Sequence, residues 1–392
     1  MTDIAASTTP GRLRIAVLNR NFSPTGGGAE RYSIALVELL AERHDIHVFA
    51  QHIRHAWPGV TYHPVSQHVI RPRWLNQLWY AAATWWATRR GFDIVHSHEN
   101  TWHGNIQTMH VLPVKYNLFH GKQGLAYIWR WLQVATSPRL MVYLWLERQR
   151  LSTRHPRAIV VTSESLKAQT ALAYPSSRMA LKVVTPGVDR IVGAATSEQQ
   201  QVARQRLGLP LTGQCVLFVG NDYRKKGLTT LLAAMAQLSP ICYLAVVGSP
   251  KQIPQFKAQV EVAGLVNRVF FLGAQRRMDA VYAAADFLVH PTLEDTFAMV
   301  VLEAMAHGLP VIVSGPTYCG ISSLLTHDVT ALILDDPTKV PELASTMGRM
   351  LGDAPLRDRL IESGLAFANE HSWTAVGDDY DGIYRAILRQ TA

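Results

Sequence analysis

Short apolar runs ending in glycine or polar loops alternate with segments of helical period, and this happens in two rounds along the chain, a pattern that leaves few folds open. The first round opens with residues 14–19 (RIAVLN), a polar glycine-rich loop at 21–28, and a helix-period segment at 29–42 carrying Ile34, Leu36, Val37, Leu39 and Leu40. A second apolar run follows at 44–49 (HDIHVF), and further short runs stand at 93–96, 105–109, 158–162 and 183–184. After a polar stretch at 196–206 the pattern restarts with 216–220 (VLFVG), a loop holding three cations at 221–227, and a helical segment at 228–238. Runs at 243–248, 269–272, 287–290 and 310–314 then alternate with helical segments. Strand, loop, helix, strand is the opening of a Rossmann unit, and continuous apolar strands are those buried on both faces of a parallel sheet. A chain of 392 residues exceeds one compact core. The expected fold class is therefore α/β, with two domains each built on a mainly parallel sheet.

Composition narrows the function classes. Apolar residues make up 48% and charged residues 17%, which excludes a disordered chain. Cys215, Cys242 and Cys319 are far apart and fit no zinc or disulfide spacing, so they read as buried thiols of a reducing compartment. The polar start, residues 1–14, carries no basic-then-apolar secretion signal, and no window reaches the length of a membrane span. The expected location is cytoplasmic, peripheral on the inner face of the cell membrane.

The charge is uneven. Residues 1–189 hold 21 of the 38 Lys and Arg and 10 of the 29 Asp and Glu, a net of +11, while the rest nets −2. Nine of the ten Trp also lie before residue 146. Residues 71–90 place Trp79, Trp85 and Trp86 ahead of Arg89 and Arg90, and residues 127–150 include Trp129, Arg130 and Trp131. By composition each segment suits a core helix packed through its aromatics as well as a helix lying flat on anionic lipid. The charge asymmetry favours lipid contact by at least one of them.

Three constellations carry chemistry. In residues 24–31 (PTGGGAER), Gly27 and Gly28 let backbone N–H groups approach an anion at a helix start, although a tight turn accounts for the same glycines. In residues 220–227 (GNDYRKKG), Arg224, Lys225 and Lys226 lie on a strand-to-helix loop, where a diphosphate suits them, although a solvated charge run looks the same. In residues 290–311 (HPTLEDTFAMVVLEAMAHGLPV), a strand ends at His290, an acidic loop follows, and a helix is expected to start near Phe297. The N–H groups of Phe297, Ala298, Met299 and Val300 would meet phosphate or sugar oxygens there. Asp295 is positioned for a sugar, and Glu303, expected about two turns in, for ribose hydroxyls. Acidic capping by Asp295 and an exposed Glu303 is the plainer reading of the same residues.

Residues 295–311 resemble the motif of retaining glycosyltransferases of family 4, roughly Glu-Gly-Phe-Gly-x-x-x-Leu-Glu-Ala-Met-Ala-x-Gly-x-Pro-Val. Residues 26–31, 162–165, 186–189 and 371–373 are similar to other segments of that family in the expected order, so the resemblance covers nearly the whole chain. It implies the GT-B fold, two Rossmann-like domains facing a cleft: an acceptor domain at 1–188, a donor nucleotide-sugar domain at 189–371, and a final helix at 372–392 crossing back to the first domain. It further implies that Gly27 and Gly28 contact donor phosphates, that Lys226 contacts the diphosphate, that Asp295 and His110 face the transferred sugar, and that Glu303 holds the ribose. Lys226, Asp295 and His110 would thus be the catalytic set. Transfer would proceed without a bound metal or other cofactor and with retention. Two departures stand out: Asn221 occupies the family's usual Arg position, with Arg224 or Lys225 available to supply the cation, and Asp295 stands where Glu is commoner. The cationic loop is similar to that of bacterial lipopolysaccharide core glucosyltransferases.

The expected function is transfer of a hexose from a nucleotide diphosphate sugar, UDP-linked rather than GDP-linked, to a lipid-linked, lipopolysaccharide or polysaccharide acceptor. The expected partners are the donor, a glycan or lipid-linked acceptor and an anionic membrane surface; the sequence fixes no oligomeric state. His96, His98, His103 and His110 invite a metal reading, but H-x-H at a strand end is read as one inward and one outward ring. The rivals are a two-Rossmann nucleotide-sugar epimerase, a phosphorylase, for which no pyridoxal lysine stands out, and a basic nucleic-acid binder, for which no motif is present.

Overall fold

The computed structural model describes residues 11–23, 27–153 and 156–391. The chain divides into two compact units, one formed by Met1–Thr185 with Trp373–Ala392, the other by Pro186–Ser372.

The first unit is built on a seven-stranded parallel sheet in the order Val60–Pro64, Asp45–Ala50, Arg14–Leu18, Ile94–Ser97, Ile106–Met109, Ala158–Val161, Leu181–Val183. The inner strands are buried along nearly their whole length, as both faces of a parallel sheet must be. Helix Gly28–Arg43 follows the first strand and buries Tyr32, Leu36, Val37 and Leu40. Helix Arg73–Thr88 places Tyr80 in a cluster with Ala16, Leu18, Phe49 and Val95.

The last helix, Trp373–Thr391, belongs to this unit. It is tied in by polar groups as well as by apolar ones. The Tyr380 hydroxyl lies 2.9 Å from both Tyr32 Oη and Thr108 Oγ1, and Tyr384 Oη lies 2.8 Å from His96 Nδ1. Arg43 and His44 pair with Asp381. The hydroxyls of Tyr32, Thr108, Tyr380 and Tyr384 thus have partners, which their burial favours.

The second unit is a six-stranded parallel sheet in the order Val269–Gly273, Cys242–Val247, Gln214–Val219, Phe287–His290, Val311–Ser314, Leu332–Leu334. Successive side chains of a strand leave opposite faces. Accordingly Cys215, Leu217 and Val219 enter one apolar cluster and Val216 and Phe218 the other. Helices on each face complete two cores around one sheet.

Several elements differ from the sequence expectation. Residues 127–150 form not one segment but two helices, Gly124–Ala135 and Pro138–Arg150, because Pro138 cannot donate an N–H within a continuing helix and instead opens the second one. Edge strands Val60–Pro64 and Leu332–Leu334 escaped the sequence reading; the first is half-exposed and the second is three residues long. Among the described residues, no helix is long and apolar enough to cross a membrane.

Candidate active site

The best-defined polar constellation is in the second unit, at the carboxyl ends of the strands Gln214–Val219 and Phe287–His290. Ligands of open α/β sheets bind at that end. Two loops are packed together there with no room to spare. Gly227 has φ +79°, and a Cβ on it would stand 1.9 Å from the Pro291 carbonyl oxygen. Only glycine allows the cationic loop to press against the loop that follows His290. The Leu293 N–H donates to the Lys225 carbonyl at 2.8 Å, locking the two together.

That packing delivers Lys226 to Asp295. Lys226 Nζ lies 2.6 Å from Asp295 Oδ2 and donates to the Glu294 carbonyl at 3.0 Å. His290 Nε2 stands 3.1 Å from the same Asp295 oxygen. The other oxygen, Oδ1, accepts from the backbone N–H groups of Ala298 (2.9 Å) and Phe297 (3.3 Å). Burial pushes the Asp295 carboxyl pKa up, but the His290 hydrogen bond and the Lys226 charge outweigh it and hold the group well below the usual carboxylate range. Burial holds the His290 pKa below its ordinary value, only partly offset by Asp295. Its Nδ1 is buried with no hydrogen-bond partner.

Asp295 is therefore both the capping acid of the plainer reading and the centre of an ion pair with Lys226. Ala298, at the position of the family's second Gly, has φ 72°, a left-handed conformation that costs an alanine roughly 1–2 kcal/mol. This turn lets the chain enter helix Met299–Ala306 while Phe297 and Ala298 aim their amides at Asp295. Met299 and Val300 open the helix, where N–H groups lack intrahelical acceptors. The helix starts two residues later than expected, so Glu303 is its fifth residue, just over one turn in. Its Oε2 accepts from the Tyr282 hydroxyl at 2.6 Å.

Of the other cations, Lys225 pairs with Glu294 at 3.2 Å, whereas Arg224 is exposed and has no side-chain partner among the described residues. The structure thus brings Lys226 and Asp295 together, places Lys225 at the neighbouring acid, and leaves Arg224 in solvent. Sequence reasoning missed His290 and Tyr282 as polar partners. His290 was legible as the last residue of an apolar strand at its ligand-binding end; nothing in the sequence marked Tyr282.

In the first unit, Gly27 precedes helix Gly28–Arg43, and its N–H donates to Glu30 Oε2 at 2.9 Å. Pro24, Thr25 and Gly26 of the same loop lie outside the described residues. His110 belongs to a column of imidazoles. Its ring is parallel to that of His98 (8°, 5.2 Å between centroids), with His98 Nδ1 and His110 Nε2 2.9 Å apart. His98 in turn stacks on His96 at 4.4 Å. The expectation that the H-x-H rings point in opposite directions is corrected: residues i and i+2 share a face of a strand. Burial depresses the pKa of all three rings, with His96 and His110 brought down to about 3. The charges of His110 and Arg150 add to burial at His96, and Arg150 adds to it at His110. Among the described residues, no group of three or more His, Cys, Asp or Glu is arranged to hold a metal.

The aromatic segments differ from each other. Helix Arg73–Thr88 buries Tyr80, Ala81 and Thr84 on one face and exposes Trp79, Trp85 and Trp86 on the other, followed by exposed Arg89 and Arg90. Helix Gly124–Ala135 buries only Val134; Leu125, Ile128, Trp129, Trp131 and Leu132 are exposed, with Arg130 half-buried among them. Trp129 is 64% exposed, far more than a core helix allows.

Comparison with known proteins adds to this geometry. The profile of glycosyl transferases group 1 matches residues 170–366, half of the chain, and that of Glycosyltransferase Family 4 matches residues 26–190. A D-inositol 3-phosphate glycosyltransferase of Segniliparus rotundus is 33% identical over 229 residues, 55% of this chain and 49% of the relative. The matched region thus spans about half the length of that relative. The crystal structure of WaaG, a glycosyltransferase involved in lipopolysaccharide biosynthesis, superposes with a TM-score of 0.82 at 20% identity, covering 94% of this chain and 99% of that one. Anabaena HepE in complex with UDP-glucose superposes with a TM-score of 0.75 at 18% identity, covering 96% of this chain and all of that one. These likenesses show the GT-B fold.

Proposed function

The chain belongs to the glycosyl transferases group 1 family, and from that premise we propose that it moves a hexose from a UDP-sugar, with retention, to a lipid-linked or lipopolysaccharide acceptor at the cytoplasmic face of the membrane. The observation that carries the reading is the Lys226–Asp295–His290 cluster at the carboxyl edge of the second sheet, beside a helix start and Glu303.

In this reading the bond between the sugar's anomeric carbon and the diphosphate oxygen breaks, and the acceptor's hydroxyl oxygen bonds to that carbon from the same face. The diphosphate leaves with the bonding pair, gaining one negative charge to be stabilised and taking up the acceptor's proton. Lys226, with the helix-opening amides, supplies that stabilisation, and Arg224, unpaired at the loop's tip, supplies the cation missing at Asn221. An incoming diphosphate competes with Asp295 for the Lys226 ammonium. Once it wins, Asp295, still held by His290 and two amides, has an oxygen to accept from a sugar hydroxyl. Glu303 accepts from the ribose. His110, a half-buried ring whose pKa burial and the Arg150 charge bring down to about 3, is the first unit's polar but uncharged candidate for a sugar contact.

UDP-glucose is favoured as donor because HepE was captured with it. The lipopolysaccharide acceptor is favoured by the likeness to WaaG, and the lipid surface by the exposed indoles of Trp86 and Trp129 next to arginines. The match to an inositol phosphate glycosyltransferase supports a second acceptor class, a soluble phosphorylated polyol. The test is release of nucleoside diphosphate from UDP-, GDP- and ADP-sugars, with chelator present, against a lipopolysaccharide core lipid and inositol 3-phosphate, with the product's anomer read by NMR. Release from UDP-glucose dependent on the core lipid, giving the α-linked product, is expected. No release from any donor with any acceptor overturns the reading.

A further inference from the structure

Glu303 does not stand alone on its helix. Tyr282, from helix Met278–Ala284, is 1% exposed and donates its hydroxyl to Glu303 Oε2 at 2.6 Å. The phenol ring is itself fixed: the His307 ring stands 4.7 Å from it. His307 Nδ1 lies 2.8 Å from the Glu303 carbonyl and its Nε2 lies 3.1 Å from Asp279 Oδ1. Asp279 also takes Arg190 at 3.1 Å. Tyr282, Glu303, His307 and Asp279 thus close a circuit between two helices, with the carboxylate in it.

A glutamate side chain has three rotatable bonds and loses rotamer freedom when it must accept from a diol in one geometry. A buried phenol donating to one oxygen fixes the carboxylate plane before the ligand arrives. A carboxylate has about four acceptor positions on its two oxygens, so donation by one phenol does not exhaust its capacity to accept. Preorganisation of this kind is what distinguishes two ligands differing by a single hydroxyl, because the wrong one leaves a fixed acceptor unmatched.

Resting on the ribose role of Glu303 given above, we propose that Tyr282 is a positioning residue that sets the Glu303 carboxylate for the donor's vicinal ribose hydroxyls and so sets the preference for ribo- over 2′-deoxyribonucleotides. The test is equilibrium titration of the full chain with UDP and with 2′-deoxy-UDP, for wild type, Tyr282→Phe and Glu303→Gln. Phenylalanine keeps the ring against His307 and removes only the hydroxyl. Wild type is expected to bind UDP about tenfold or more tighter than 2′-deoxy-UDP, a hydrogen bond to a charged group being lost with the hydroxyl. Tyr282→Phe is expected to weaken UDP about tenfold, leave 2′-deoxy-UDP within about twofold, and so erase the preference. A merely structural tyrosine would weaken both ligands alike, and that result overturns the proposal. So does an unchanged preference in Tyr282→Phe while Glu303→Gln loses it, which leaves the ribose role of Glu303 intact. A Glu303→Gln variant that binds like wild type, or a wild type that does not bind UDP, overturns the ribose role itself and this proposal with it. Should Tyr282→Phe not fold, 3-fluorotyrosine at position 282 keeps the ring and makes the phenol more acidic; an unchanged UDP to 2′-deoxy-UDP ratio then overturns the proposal.

Discussion

Replacing His103 with phenylalanine should flatten the acid side of the first unit's stability profile. His103 is largely buried, both its ring nitrogens lack hydrogen-bond partners, and burial, with the Arg157 charge, brings its pKa down to about 3. His96 and His110 are brought down to the same value. The folded chain therefore keeps these rings neutral while the unfolded chain protonates them below about pH 6.5. In that window the unfolded state binds more protons, so stability is full above pH 6.5 and falls as the pH drops towards 3. Between pH 7.5 and 5.5 each such ring removes about 1.4 kcal/mol, and the three together about 4 kcal/mol, a large part of a typical domain's stability. All ten Trp fall within the unit formed by Met1–Thr185 and Trp373–Ala392, so indole fluorescence during urea unfolding reports that unit alone. The His103→Phe variant loses no hydrogen bond from its ring. It should gain about 1.4 kcal/mol on wild type at pH 5.5 relative to pH 7.5. Parallel pH profiles for the two proteins would refute the reasoning.

Further outcomes follow from the second unit and the exposed helices. Lys226→Met leaves the Asp295 carboxylate mostly buried beside a neutral histidine and should cost about 2–4 kcal/mol in circular-dichroism melts. Adding Asp295→Asn should recover part of it, with a coupling of about 1–3 kcal/mol. Because the Asp295 pKa is held down, its contribution is present above about pH 4 and is lost as the pH falls further; Asp295→Asn should remove that acid dependence. Ala298→Val puts a β-branched side chain at φ 72° in a site that is 4% exposed, and should destabilise by at least about 2 kcal/mol in the same melts. Wild type should co-sediment with anionic liposomes at low salt, and Trp86→Ser with Trp129→Ser should release it; failure of wild type to sediment would remove the membrane reading.

The parallel sheets were legible because their strands are continuous apolar runs, such as VLFVG at 216–220, and because a glycine or polar loop punctuates each one. Edge strands were not, since Val60–Pro64 is half-exposed and lacks that signature. Lys226, Asp295 and Glu303 were legible as residue types at a spacing. What no spacing encodes is the close approach of two loops at Gly227 and Pro291, which sets Lys226 on Asp295 and turns two expected ligand groups into an ion pair. Tyr282 was invisible for the same reason: its partner is 21 residues away on a neighbouring helix. Composition could not choose between core and surface for the aromatic helices; the structure divides them, with one face of Arg73–Thr88 packed and Gly124–Ala135 almost wholly exposed.

Calorimetric titration of UDP-glucose into wild type, Lys226→Ala and Glu303→Ala, with chelator present, tests most directly whether this polar edge grips a sugar nucleotide. Saturable binding to wild type, weakened about tenfold or more by either substitution, is the predicted result. Equal affinity in all three proteins, each shown folded by its melt, would contradict the assignment of these residues to the donor.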